Sequence, residues 1–197
     1  LDFASSPYFT DENVKKEQGI IGREINMVND NPYHCVMDGL FENLYVNLPA
    51  RDSIIGTHES IGNITRDVLM SCYSTFYVPS NMTLTVVGDI DAQEVCDIAQ
   101  AMLRREYVKA PVRDYGEEPE CVATQYSEKH MEVNLPVFAA GFKTSVTTDG
   151  EEGVRNRMVA ELAAEVLAGE SSPLYTELYE KGLINKQFGA GAMFFPG

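Results

Sequence analysis

Residues 10–31, TDENVKKEQGIIGREINMVNDN, carry a helical period with two carboxylates in an unusual place. At about 100° per residue, a spacing of seven returns to within about 20° of the same direction. Glu17 and Glu24 therefore share one line on the helix, roughly 10 Å apart along its axis. Val14, Ile20, Ile21, Ile25, Met27 and Val28 fall on the same broad face. Lys15, Lys16, Gly19, Gly22, Arg23, Asn26 and Asp30 fall on the other. The pattern thus sets two carboxylates along the centre of an apolar stripe. Carboxylates rarely occupy a buried face unless a cation, a metal or a proton compensates them. The plainer alternatives are a pair at a groove edge, or a pair tied to an arginine from elsewhere.

Composition limits what such a helix can serve. The chain has 197 residues, enough to bury a sizeable core in one domain or two small subdomains. Its net charge of −15 argues against nucleic acid as a partner, because phosphate binding needs clustered Lys and Arg. No apolar run approaches a membrane span, so no membrane role is expected. Four cysteines at positions 35, 72, 96 and 121 form no Cys-x-x-Cys, and read as buried free thiols in a reducing cytoplasm. The three histidines, His34, His58 and His130, have no near-neighbour pair among them. His34 follows a helix break, His58 lies in a loop and His130 in a strand-like run, so none is expected to bind metal.

The remaining elements alternate. Thr10 is a plausible N-cap, with Asp11 and Glu12 suiting the helix dipole, and Asn31-Pro32 ends the helix. Helices are expected over residues 33–45, from Thr65 to Phe76, from the capping pattern Asp91/Glu94 to about Arg105, and over 151–168. In the last of these, Val154, Met158, Leu162 and Val166 form a core stripe, and Gly169 is the stop. Ser171 or Ser172 caps a short helix with Pro173 at its start, ending before Gly182. Residues 46–63 read as loop, and Pro49-Ala-Arg-Asp could border a substrate groove. Residues 109–120 read as an exposed linker. Strands are expected at 82–87 (MTLTVV), 121–126, 129–144 and 187–195. Helices mixed with several strands and long connections indicate an α+β fold. The strand at 82–87 is expected to pair with strands from 121–144, with helix 151–168 packed across the sheet.

The run Glu17-Gln-Gly-Ile-Ile-Gly-Arg-Glu24-Ile-Asn-Met resembles the glutamate helix of the pitrilysin family of zinc metallopeptidases, the inverzincins. The likeness continues through Asn31-Pro32, Ile55-Gly56-Thr57-x-Glu59-Ser60-Ile61 and Ile64-Thr65-Arg66-Asp67-x-Leu69. It goes on through Phe76-Tyr77-x-Pro79-Ser80-Asn81-Met82 and Val86-Val87-Gly88-Asp89-Ile90-Asp91. Near the far end, Ser171-Ser172-x-Leu174-Tyr175-x-x-Leu178-Tyr179-Glu180-Lys181-Gly182 fits a recurrent family helix. The match covers most of the chain and is similar to the family's bacterial subgroup.

The resemblance implies a mixed or antiparallel sheet with helices packed on it, as in one homology unit of that family truncated at both ends. Residues 1–79 would hold the glutamate-ligand helix and the helices after it, and 80–197 the sheet-and-helix remainder. It implies Zn2+ as cofactor, with Glu24 as the third metal ligand and Glu17 as the catalytic-site glutamate behind it. An inverted His-x-x-Glu-His motif supplies the other two ligands and the general base in this family. No such motif is present here, and only a short stretch precedes Glu24. The expectation is therefore a piece of a longer zinc metalloendopeptidase that hydrolyses peptides, inactive and without stoichiometric zinc by itself. A non-catalytic homologue serving as scaffold or partner subunit is the alternative. A peptide substrate, a homologous second half or partner subunit, self-association of the fragment and a cytoplasmic location complete the expectation.

Overall fold

The structure is a computed structural model and describes residues 1–103, 109, 111–112, 114–144 and 150–195. Eight α-helices occur among them: α1 (Asp2–Ser5), α2 (Asp11–Asn29), α3 (Pro32–Leu44), α4 (His58–Gly62), α5 (Arg66–Phe76), α6 (Ala92–Met102), α7 (Gly150–Ala168) and α8 (Pro173–Glu180). Their starts follow the capping residues. The Thr10 hydroxyl accepts from the Asn13 N–H, and that of Thr65 from Val68. The Asp91 carboxylate accepts from Gln93 and Glu94, and the Ser172 hydroxyl from Tyr175. Each satisfies an N–H that the first turn leaves without a partner.

The expected α+β sheet is not found. Among the described residues no strand forms, and helix is the regular structure. Residues 82–87 run with every side chain exposed. A β-branched run states a preference for extended backbone, but a strand needs a second extended chain about 4.8 Å away to exchange N–H and C=O groups. Thr124 within the expected strand 121–126 donates instead to the Asn43 carbonyl at the end of α3. Helix α6 stops at Met102; residues 104–108, which include the expected end near Arg105, lie outside the described residues.

The chain divides into two units. The first comprises Leu1–Gly39, Asp52–Asp114 and Glu128–Ala139. Its buried apolar residues are Val14 and Ile25 of α2, together with Val78. Helices α2 and α4 pack together there. The Arg66 guanidinium donates to the Phe9 carbonyl and the Tyr73 hydroxyl to that of Ala4, tying α5 to the N-terminal segment.

The second unit comprises Leu40–Arg51, Tyr115–Ser127 and Ala140–Gly197, with Leu44, Leu48 and Tyr175 buried. Helix α7 packs against α8, but not by the stripe its sequence suggests. Val154, Met158, Leu162 and Val166 are all exposed, Val166 at 72%. The inward side is Gly153, Asn156, Ala160, Ala164 and Ala168, which recur at helical spacing. Small residues let a neighbour approach the helix backbone, and this leaves the bulky stripe facing out.

Candidate functional site

Glu17 and Glu24 stand on α2 as the period requires, but both are exposed. The side of α2 that packs is formed by Val14, Gly22 and Ile25, with Gln18 and Ile21 half-buried. Taking about 100° per residue, Ile25 lies roughly 80° from the Glu17 direction and Gly22 roughly 140°. The packed side of α2 therefore lies about a quarter turn from the centre of its apolar arc. The glutamates share an outward face with Ile20 and Met27, the latter 66% exposed. Among the described residues neither carboxylate is engaged in an ion pair.

Polar contacts tie this side of α2 to α4 and the loop after it. The Gln18 side-chain amide donates to the carbonyls of Ile61 at 3.1 Å and Ile64 at 3.0 Å, and more distantly to Gly62. His58 Nε2 lies 2.7 Å from Asn26 Oδ1. The His58 ring rests over Gly22, so close that a Cβ there would stand 3.3 Å from Cε1. Sequence reading placed His58 in a loop. It begins a helix because Thr57 and Ser60 form a reciprocal capping box, a signal legible as Thr-x-x-Ser before an apolar residue. His34 faces Asp38 one turn along α3, and His130 stands 3.6 Å from Glu128. The four thiols are free but not buried as expected: Cys72, Cys96 and Cys121 are exposed and Cys35 is half-buried.

These residues test the expected zinc. Two unpaired carboxylates on an open helix face suit an oxygen-ligand role. Among the described residues, however, no three His, Cys, Asp or Glu side chains stand together as a metal-binding group. The chain offers one ligand of a set, and no catalytic step is routed through the metal.

A second polar site was missed in the sequence, where residues 109–120 read as linker. Glu118 is half-buried, and its carboxylate accepts three successive backbone N–H groups. These come from Val46 at 2.8 Å, Asn47 at 2.7 Å and Leu48 at 2.7 Å. The Lys143 ammonium completes the cage, donating to the carboxylate and to the carbonyls of Leu44 and Cys121. Burial works against the charged carboxylate, but Lys143 and the three N–H groups outweigh it and hold its pKa down at about 2. Tyr45 lies under Lys143, and its pKa is pushed up by burial and then by Glu118. The loop carrying Pro49 and Arg51 is thereby anchored at its base. One Glu within the run Gly116-Glu117-Glu118-Pro119-Glu120 carries no sequence signal for this.

Comparison with known proteins bears out the family resemblance. Residues 63–193 match the family model described as the Peptidase M16 inactive domain. The chain belongs to the M16 family of peptidases, the pitrilysin-type zinc proteases. It is 40% identical over 192 residues to the uncharacterized zinc protease YmfH of Bacillus subtilis (strain 168), covering 95% of this chain and 45% of that protein. It is 30% identical over 87 residues to the mitochondrial-processing peptidase subunit beta of Homo sapiens, covering 44% of this chain and 18% of that one. The M16-like peptidase from Alicyclobacillus acidocaldarius superposes with a TM-score of 0.75 at 34% identity, over 97% of this chain and 46% of that one. A protease from Helicobacter pylori superposes at 0.62 with 19% identity, over 93% and 45%, a likeness of fold alone. The chain spans less than half the length of these relatives. No helix among the described residues is long and apolar enough to cross a membrane.

Proposed function

We propose that the chain is most of one unit of a zinc-dependent metalloendopeptidase that hydrolyses peptides, with Glu24 as the third zinc ligand and Glu17 supporting it. The observation that supports this is the pair of aligned, exposed carboxylates on α2, in a chain of this family. Zinc held there would lower the pKa of bound water and polarise the scissile carbonyl. This chain's own part is narrower. Glu24 presents an anionic oxygen, and Glu17 adds negative charge one heptad away and can orient a neighbouring ligand. The histidine ligands and the general base come from a His-x-x-Glu-His segment outside this sequence. Residues 1–79 carry the glutamate helix and 80–197 the remainder of the unit. A homologous second half or partner subunit, a peptide substrate and a cytoplasmic setting belong to the same reading.

The test is made in the longer protein, with zinc analysis beside cleavage of an unstructured peptide. Glu24→Gln is expected to lose zinc and most hydrolysis. Glu17→Gln is expected to lose about 10–100-fold in activity with less metal loss. Full zinc content in the Glu24 variant would overturn the ligand assignment. A second reading, a non-catalytic homologue that acts as scaffold or partner of an active peptidase, draws support from the matched model's description as an inactive domain. The glutamate helix lies before that matched segment. Sequencing upstream of Leu1 separates the two: His-x-x-Glu-His there supports the peptidase, and its absence the scaffold.

A further inference from the structure

We infer that Gln18, Asn26 and His58 are positioning residues that set the roll of α2 and so decide where Glu17 and Glu24 point. The inference rests on the reading of Glu24 as a ligand.

The apolar pattern of α2 does not fix that roll by itself. Its apolar residues span a broad arc centred near the glutamates, yet Ile20 and Met27 are exposed and only Val14 and Ile25 are buried among them. Apolar burial is non-directional and tolerates several orientations of such an arc. Hydrogen bonds do not. Gln18 reaches two carbonyls at 3.1 and 3.0 Å, at the point where α4 gives way to the next loop. Asn26, about two turns further along α2, meets His58 at 2.7 Å at the start of α4. Two polar attachments at opposite ends of one short helix prevent rotation where one would act as a pivot. Gly22 lies between them and lets the imidazole approach the backbone.

The consequence for the carboxylates is geometric. A side-chain tip stands about 5–6 Å from the helix axis, so a roll of about 20° carries it roughly 2 Å sideways. Metal–ligand distances hold to within about 0.2 Å. A roll of that size is therefore ten times what a zinc ligand tolerates, while helix α2 itself stays intact. Gln18 and His58 bond to the protein itself, and in this reading they act through the direction of Glu24.

The experiment uses the longer protein, loaded with zinc or with cobalt as a spectroscopic substitute. Gln18→Leu and His58→Ala are each expected to weaken zinc binding by about 10–100-fold and to alter the cobalt absorption spectrum. kcat is expected to fall with KM nearly unchanged, and the α2 amides to stay protected from hydrogen exchange. His58→Gln, whose terminal amide can reach Asn26 Oδ1, is expected to restore zinc affinity, and His58→Asn, one methylene shorter, is not. Wild-type affinity and spectrum in Gln18→Leu and His58→Ala overturn the inference. Should either of these fail to fold, the Gln and Asn variants of His58 decide, and equal behaviour of the two overturns it. Glu24→Gln serves as the control. If it loses zinc while the interlock variants do not, the positioning role alone fails. If it keeps full zinc, the ligand reading fails and the positioning role with it.

Discussion

Replacing Glu118 by glutamine should lower stability and flatten its dependence on pH. The carboxyl titrates at about 2 in the fold against an ordinary 4.5. The folded protein thus favours the ionised form, so the stabilisation is fully present above about pH 4.5 and is lost as pH falls toward about 2. By linkage the depression corresponds to at most about 3 kcal/mol. The ion pair is not sealed, since 17% of the Glu118 side chain and 10% of the Lys143 side chain remain accessible. Screening by that solvent brings the expected contribution to about 1–2 kcal/mol. Glutamine keeps an acceptor oxygen for part of the N–H cage and removes the charge that Lys143 faces. Urea unfolding of wild type and Glu118→Gln from about pH 7 down to about pH 3 reads the difference directly, because every other carboxylate is common to both. The variant should be less stable by about 1–2 kcal/mol at neutral pH, and the two curves should converge on acidification. Parallel curves across that range would refute the assignment of Glu118 as an ionised anchor.

Three other outcomes are expected. In Glu118→Gln the Tyr45 hydroxyl should titrate closer to its ordinary 10.0 without reaching it, since burial is the larger cause of its elevation; absorbance at alkaline pH reports this. Gly141→Ala should destabilise the second unit by about 1–3 kcal/mol, because the added Cβ would lie 2.9 Å from Leu44 Cδ1 and 3.1 Å from Leu40 Cδ1; an unchanged thermal midpoint contradicts it. Residues 1–197 alone should bind no stoichiometric zinc, cleave no peptide and self-associate through exposed side chains such as Leu162 and Val166, as equilibrium dialysis, a cleavage assay and sedimentation would reveal.

The amino-acid sequence by itself determined the starts of α2, α5, α6 and α8, because these depend on groups within one turn of each other. Thr10, Thr65, Asp91 and Ser172 each accept an N–H two or three residues on, and such contacts are legible locally. It also determined that Glu17 and Glu24 share a line on α2, which is arithmetic on the helical repeat. That the expected strands form no sheet among the described residues was not legible, because β-branched runs such as 82–87 state a conformational preference and not the presence of a pairing partner. Nor was the packed face of α7, where small residues and not the bulky stripe take the inside. The roll of α2 was decided by Gln18, Asn26 and His58, whose partners lie 32 to 46 residues away. The Glu118 cage closes over 70 to 72 residues to the loop and 25 to Lys143. Periodicity describes what one element can offer, while the direction in which it is offered depends on hydrogen bonds between segments distant in the chain, and these exist only once the tertiary structure has formed.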